Sequence, residues 1–92
     1  MKKQSQFYVR IMTPHKTLYQ GNIFALSLYN DIGPFDIIEK HTNFISLIKN
    51  KITIHELPRT KKEISIQKGI VKVNKQGVDI FIGFMEENEY ER

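Results

Sequence analysis

Apolar and polar residues alternate with a period of two along most of this 92-residue chain. In residues 7–12 every second residue is strongly apolar, which is the pattern of a strand with one face on a core. The same alternation returns in residues 52–55, 64–67 and 78–84. The pattern therefore predicts a chain built mainly of half-buried β-strands.

Turn-forming residues separate these segments. Thr13-Pro14-His15-Lys16 ends the first strand, because proline cannot donate a hydrogen bond to a β-ladder. Residues 57–61 predict a hairpin turn with a basic tip, and residues 74–77 predict a tight turn. Gly69 interrupts an apolar run, which is typical of a β-bulge or of a strand that passes to a second sheet.

Four further short segments are extended in character. Residues 17–20 form a short strand that ends at Gly21, and residues 35–38 and 44–49 are apolar stretches between polar loops. Residues 23–29 leave almost no polar face, which predicts a strand covered on both sides near the centre of a sheet.

Together these segments predict an all-β fold of about eight to ten short strands, arranged as an antiparallel β-sandwich or barrel. Fourteen isoleucines favour strands, and no helical window occurs before residue 85. We expect one domain over residues 1–85, followed by an acidic tail over residues 86–92 that is either frayed or the start of a truncated helix. A chain of this length buries one thin core and leaves little volume for a deep active site.

The formal net charge of +4 is unevenly distributed. Residues 1–85 hold thirteen Lys and Arg against six Asp and Glu, and eight of those cations lie within residues 49–75. Such a surface can attract nucleic acid, anionic lipid or acidic proteins, although it is more often a solvated face. The chain has no cysteine, no apolar run long enough to cross a bilayer and no signal-peptide pattern at residues 1–6.

Residues for catalysis, metal binding or cofactor binding do not occur in the required patterns. His15, His41 and His55 lack the spacing of metal ligands, and the five glycines are too dispersed for a phosphate-binding loop. No Gly-x-Ser-x-Gly elbow is present. We therefore predict a protein that is not an enzyme, with no cofactor and no small-molecule substrate.

Single-stranded nucleic acid is an alternative ligand. A small barrel can stack bases on exposed rings while lysines follow the backbone, and Tyr8, Tyr19, Tyr29 and Phe81 could face outward. Against this, the aromatic residues do not interleave with the lysines of residues 49–75 and the tail is acidic. A stand-alone basic β-module that binds single-stranded nucleic acid or another anionic partner stays open as the second hypothesis.

The order of several motifs resembles the amino-terminal domain of the epsilon subunit of F-type ATP synthases. The resemblance covers residues 7–84 and rests on four segments, which are Val9-x-Ile11-x-Thr13-Pro14-x-Lys16-x-Leu18-Tyr19-x-Gly21, the loop 31–36, the histidine segment 38–43 and the glycine segment 68–73. In that family a Pro-Gly pair precedes the histidine and an Ala-Pro pair follows it. Here these pairs are Glu39-Lys40 and Thr42-Asn43.

The resemblance implies a β-sandwich without the carboxy-terminal helical hairpin of the family. It implies a non-catalytic central-stalk subunit of the rotor, which joins the gamma subunit to the membrane c-ring during proton-driven ATP synthesis. Such a subunit is peripheral at the cytoplasmic face of the cell membrane and does not bind nucleic acid. By resemblance, the partner-binding residues are Asp31, Gly33, Pro34, Phe35, Asp36, Glu39, Lys40, His41, Thr42 and Asn43.

Overall fold

The computed structural model describes residues 6–38, 43–57 and 59–85. In these residues the chain forms seven β-strands and no helix. The acidic tail over residues 86–92 lies outside the described residues. The strands are β1 (Phe7–Met12), β2 (Thr17–Ile23), β3 (Ala25–Tyr29), β4 (Pro34–Ile37), β5 (Phe44–Leu57), β6 (Thr60–Asn74) and β7 (Gly77–Met85).

Two of these strands are much longer than the sequence pattern predicts. β5 has 14 residues and β6 has 15, and each joins two segments that the pattern predicts as separate strands. Seven strands among the described residues therefore take the place of the predicted eight to ten. The interruptions seen in the sequence are irregularities of one continuous hairpin, because bulges bend a strand without ending it.

The strands form one sheet in the order β2-β1-β7-β6-β5-β3-β4. Neighbouring strands are antiparallel, as predicted, except that β1 and β7 run parallel, with Val9 opposite Val78 and Ile11 opposite Ile80. The first and last described strands are therefore direct neighbours. A parallel pair needs a long connection between its strands, which β2 to β6 provide.

The sheet folds on itself into two layers that share the β5–β6 hairpin. The bend in β5 lies at Asn50, which has a positive φ of 70°, and the β5–β6 register shifts between Ile48 and Asn50. The β6–β7 register shifts on both sides of Lys68, beside Gly69, as the sequence pattern predicts. β2, β1 and β7 continue the first layer from one half of the hairpin, and β3 and β4 continue the second layer from the other half.

The core lies between the two layers. Alternate residues of the strands point into it, and both layers contribute, so that the inner faces share a single apolar cluster. The buried apolar residues are Phe7, Val9, Ile11, Ile23, Leu26, Leu28, Ile37, Ile48, Ile52, Ile54, Ile66, Val71, Val73, Val78, Ile80 and Ile82.

The segment from residue 23 to residue 29 differs from its prediction. It is not one central strand, because β2 continues through Gly21 to Ile23 and β3 begins at Ala25. Between them the Phe24 amide donates a 2.9 Å hydrogen bond to the carbonyl of His55 on β5. β3 alternates buried and half-buried residues and lies next to the edge strand β4, so it is covered fully on one face only.

Candidate partner-binding surface

The loop between β3 and β4, which holds the first predicted partner-binding residues, is a tight hairpin turn. Asn30 and Gly33 exchange two backbone hydrogen bonds of 3.0 and 3.1 Å. The Asn30 side-chain oxygen also accepts the amides of Ile32 and Gly33. Gly33 has a φ of 145°, which L side chains rarely adopt. Asp31 and Ile32 therefore form a short, well-defined tip, and the Ile32 side chain is almost fully exposed.

Three contacts attach this turn to the first half of β5. The Asn30 side-chain amide (Nδ2) donates a 3.3 Å hydrogen bond to the Ser46 hydroxyl, and the Lys49 ammonium lies 3.1 Å from the Asp31 carboxylate. The ring of Phe35 contacts that of Phe44 edge to face, with centroids 5.9 Å apart. The turn and residues 44–49 consequently form one continuous surface.

The predicted partner-binding residues divide into two groups. Asp31, Gly33, Pro34, Phe35 and Asp36 lie together on the turn and on β4, where Pro34 and Asp36 are exposed and Phe35 is half-buried. Asn43 is exposed directly before β5. The segment from Glu39 to Thr42, which contains His41, lies outside the described residues. The role of all these residues in binding stays a prediction.

A second surface feature, on the outer face of the first layer, is a row of four apolar side chains. Leu47 on β5 pairs with Ile70 on β6, Ile70 pairs with Phe81 on β7, and Phe81 pairs with Met12 on β1. Leu47 is 70% exposed and Phe81 45% exposed. We refer to Met12, Leu47, Ile70 and Phe81 as the apolar row.

A shallow groove of about 370 Å³ runs along the apolar row. All four side chains of the row line it, together with Pro14 of the β1–β2 turn. Gly69 and Gly83 also line it, and a Cβ at Gly69 would lie only 2.8 Å from the Phe81 carbonyl oxygen, so β6 and β7 approach each other closely there. Apolar surface of this kind, which extends across four strands and is exposed on three of them, is typical of a protein-binding site.

A row of charged residues lies beside the apolar row on the same face. Arg10 on β1 contacts Asp79 on β7 at 3.5 Å, and Lys72 on β6 is the register partner of Asp79. Charged residues at the border of an apolar patch orient a partner and speed its association more than they strengthen binding. The outer face thus has the arrangement of a binding surface, with an apolar centre and a charged border.

The apolar row is a feature that the sequence pattern alone does not reveal. Its members are far apart in sequence, and they become neighbours only through the cross-strand register. A signal was nevertheless present, because each occupies the outward position of an alternating strand, where a polar residue is expected. Apolar residues at the outward positions of four different strands indicate an outer face that a partner covers.

The basic segment 49–75 is partly neutralised in the folded chain. Lys49, Lys51 and Lys62 each contact a carboxylate, at 3.1, 3.3 and 3.6 Å. Of the rings proposed to stack bases, Tyr8 and Phe81 are exposed but Tyr19 and Tyr29 are half-buried. The structure therefore offers little support for a continuous stacking surface lined by free lysines.

The described histidines take no part in a metal-ligand cluster. His55 is half-buried, and its Nε2 lies 3.0 Å from the Ser27 hydroxyl across the β3–β5 pair. Among residues 6–38, 43–57 and 59–85, no three His, Cys, Asp or Glu side chains are placed to hold a metal ion. The same residues contain no helix that is long and apolar enough to cross a membrane.

Comparison with known proteins identifies the family. Residues 6–88 match the family described as "ATP synthase, Delta/Epsilon chain, beta-sandwich domain", and the chain belongs to this family. It is 34% identical over 67 residues to the ATP synthase epsilon chain of a Nitratiruptor species, covering 72% of this chain and 52% of the relative. It is 29% identical over 76 residues to the epsilon chain of a Clostridium botulinum strain, covering 82% and 57%.

Two solved structures share the fold. One is a chain of the Euglena gracilis mitochondrial ATP synthase complex of OSCP, F1 and c-ring, with a TM-score of 0.77, 16% identity and coverage of 84% of this chain and 50% of that one. The other belongs to the central stalk and c-ring of the Tetrahymena thermophila mitochondrial enzyme, with a TM-score of 0.71, 15% identity and coverage of 99% and 78%. The chain spans between half and three fifths of the curated relatives named above.

Proposed function

We propose that this chain is a non-catalytic rotor subunit of an F-type ATP synthase, in which it joins the gamma subunit to the membrane c-ring during proton-driven ATP synthesis. Membership of the delta/epsilon sandwich family supports this role. The two structural neighbours agree with it, because both come from assemblies that include a c-ring and one of these is described as a central stalk. In this role the protein is peripheral at the cytoplasmic face of the cell membrane.

The apolar row is the observation that carries the proposal, and we assign it to the gamma subunit. A small domain with three exposed and one half-buried apolar side chain in a row across neighbouring strands gains free energy when a partner covers them, at about 25 cal/mol per Å². The partner must offer a complementary apolar surface, with charges that match Arg10, Asp79 and Lys72. A subunit that turns together with this domain meets that requirement, because transmission of torque needs a stable contact.

The β3–β4 turn is the surface we assign to the c-ring. It projects Ile32 at its tip and holds Asp31 and Asp36 in exposed positions. Asp31 is already engaged by Lys49, whereas Asp36 lies on β4 as a carboxylate open to a basic group of a partner. Exposed charges of this kind orient two surfaces more than they hold them together.

Copurification with the gamma subunit of the same organism tests the assignment of the apolar row. We expect a complex at physiological salt, weakened about tenfold or more by Phe81→Ala, because truncating a central aromatic anchor commonly costs that much binding. Tyr8→Ala is the matched control, since Tyr8 is also a half-exposed aromatic on this face (40% against 45%) but lies outside the row. The proposal is wrong if the folded chain binds no gamma subunit.

A further inference from the structure

The first half of β5, Phe44–Ile48, is an open edge of the first layer. On one side it pairs with residues 69–73 of β6. On its other side β3 pairs only with Thr53–His55, beyond the bend at Asn50. Among the described residues no strand lies beside Phe44–Ile48 on that side, so its outward-facing amides have no strand partner there, although the Leu47 carbonyl accepts a 3.0 Å hydrogen bond from the Ser46 hydroxyl. We refer to Phe44–Ile48 as the β5 edge.

The composition of the β5 edge differs from that of the other sheet edges. Proteins protect exposed edges with proline, charge or β-bulges, because an unprotected edge pairs with other chains. β4 carries Pro34 and Asp36, and the pairing of β2 with β1 is irregular between Ile11 and Met12. The β5 edge reads Phe-Ile-Ser-Leu-Ile and has none of these features. An unprotected apolar edge of five residues is an aggregation hazard unless another strand covers it.

The side chains of the β5 edge connect it to the apolar row. Ile45 and Leu47 point to the outer face and are 67% and 70% exposed. Leu47 is itself a member of the apolar row, and Ile45 pairs with Lys72 of the neighbouring charged row. The apolar row and the β5 edge therefore form one continuous surface, and a partner that covers the row also lies next to the backbone of the β5 edge.

We propose that the partner bound at the apolar row adds an extended segment to the β5 edge as a further β-strand. The inference rests on the proposed function, and the occupant we assign is a segment of the gamma subunit. Only an extended backbone satisfies a row of outward amides and carbonyls, whereas a helix docked on the face leaves them unpaired. The added strand is about five residues long, since the bend at Asn50 ends the regular edge.

The side chains of the added strand follow from its position. Its residues alternate between the two faces, so every second side chain lies on the outer face beside Ile45 and Leu47. Apolar side chains at those positions extend the apolar row by one strand. The backbone ladder then provides affinity, and the fit beside Ile45 and Leu47 provides specificity.

Amide hydrogen exchange, resolved by residue, tests the proposal on the full chain alone and in complex with the gamma subunit. In the free chain, amides of residues 44–48 that point to β6 exchange slowly and the alternate ones exchange fast. We expect the fast amides to slow by at least about a hundredfold in the complex, as strand amides do on pairing. If they stay fast in a complex that forms, the added strand is disproved and the proposed function stands.

A pair of proline variants provides an independent measurement. Ile45→Pro and Ser46→Pro remove adjacent amides, of which one faces β6 and the other the open side. Thermal unfolding identifies the variant that keeps wild-type stability, and this variant blocks only the edge. We expect it to bind gamma about tenfold or more weakly, since it removes a ladder hydrogen bond and obstructs the strand. Unchanged affinity would overturn the proposal.

Two other outcomes also decide against the added strand. If the folded chain forms no complex with gamma, the proposed function fails and this inference fails with it. If the fast amides become protected in the free chain as its concentration rises, the edge pairs with a second copy of the chain, and the assignment to gamma is wrong.

Discussion

At the scale of single residues, a cluster of three side chains connects the edge strand β2 to the β5–β6 hairpin. Its members are Tyr19, Glu56 and Lys62. The Tyr19 hydroxyl donates a 2.7 Å hydrogen bond to the Glu56 carboxylate, and the Lys62 ammonium lies 3.6 Å from that carboxylate. The same ammonium lies 5.5 Å from the centroid of the Tyr19 ring. Burial, the hydrogen bond to Glu56 and its negative charge raise the pKa of Tyr19 to about 12.

Tyr19→Phe should lower the free energy of unfolding at neutral pH by about 1 kcal/mol, the usual loss for a hydrogen bond of this kind. Because the pKa of Tyr19 is raised from 10.0 when the chain is folded, the stabilisation is complete below pH 10 and is lost as pH rises toward 12. Urea unfolding of both proteins across this range measures the difference. Unfolding curves that stay equally separated up to pH 12 would contradict the assigned pKa.

Gly77, in the β6–β7 turn, shows why some positions admit only glycine. A Cβ at residue 77 would lie 2.5 Å from the Tyr8 carbonyl oxygen, and the φ of 147° is itself unfavourable for L side chains. Gly33 has almost the same φ, 145°, but open space where a Cβ would project.

Gly77→Ala should therefore destabilise the fold by more than Gly33→Ala, with about 2 kcal/mol or more for the first and about 1 kcal/mol for the second. Chemical denaturation measures the free energy of unfolding of the two variants. Because both glycines have nearly the same φ, the difference between the two losses reports the close contact of residue 77 with β1. Equal losses of unfolding free energy would show that the contact between the Tyr8 carbonyl and residue 77 does not limit the side chain at that position.

At the scale of elements, alternate residues of the β5–β6 hairpin have different roles. Those that face inward pack in the core, and some of those that face outward form part of the apolar row. Inward residues such as Val71 hold the core, while outward residues such as Ile70 stay half-exposed at the apolar row. Its bend lets one pair of strands serve both layers. The same strands therefore build the fold and display the proposed binding surface.

Two isoleucines on paired strands test this division. Ile80→Ala removes a fully buried side chain and should cost about 2–5 kcal/mol, a large part of the stability of a domain this size. Ile70→Ala removes a side chain that is 41% exposed and should cost less than about 1 kcal/mol, yet weaken binding to gamma. Thermal unfolding and copurification together measure both effects, and a stability loss at Ile70 as large as that at Ile80 would refute the division.

At the scale of the whole molecule, most of the fold was predictable and the apolar row was not. Period-two alternation is a local property, so the strands, the turn at residues 74–77 and the irregularity at Gly69 follow from it. The lengths of β5 and β6 and the parallel β1–β7 pair depend on contacts between distant residues. The apolar row depends on the same long-range register, which is why Phe81 and Leu47 could not be placed together in advance.

The parallel pairing of β1 with β7 has a mechanical consequence. The amino end of β1 and the carboxyl end of β7 lie at opposite ends of their shared ladder, because the strands run in the same direction. A force applied between residues 7 and 85 therefore pulls the two strands lengthwise past each other, and all the hydrogen bonds of the ladder resist at once. A hairpin such as β6–β7 pulled from its open end would instead lose its hydrogen bonds singly, in sequence. Tension between residues 7 and 85 thus loads the β1–β7 ladder in shear.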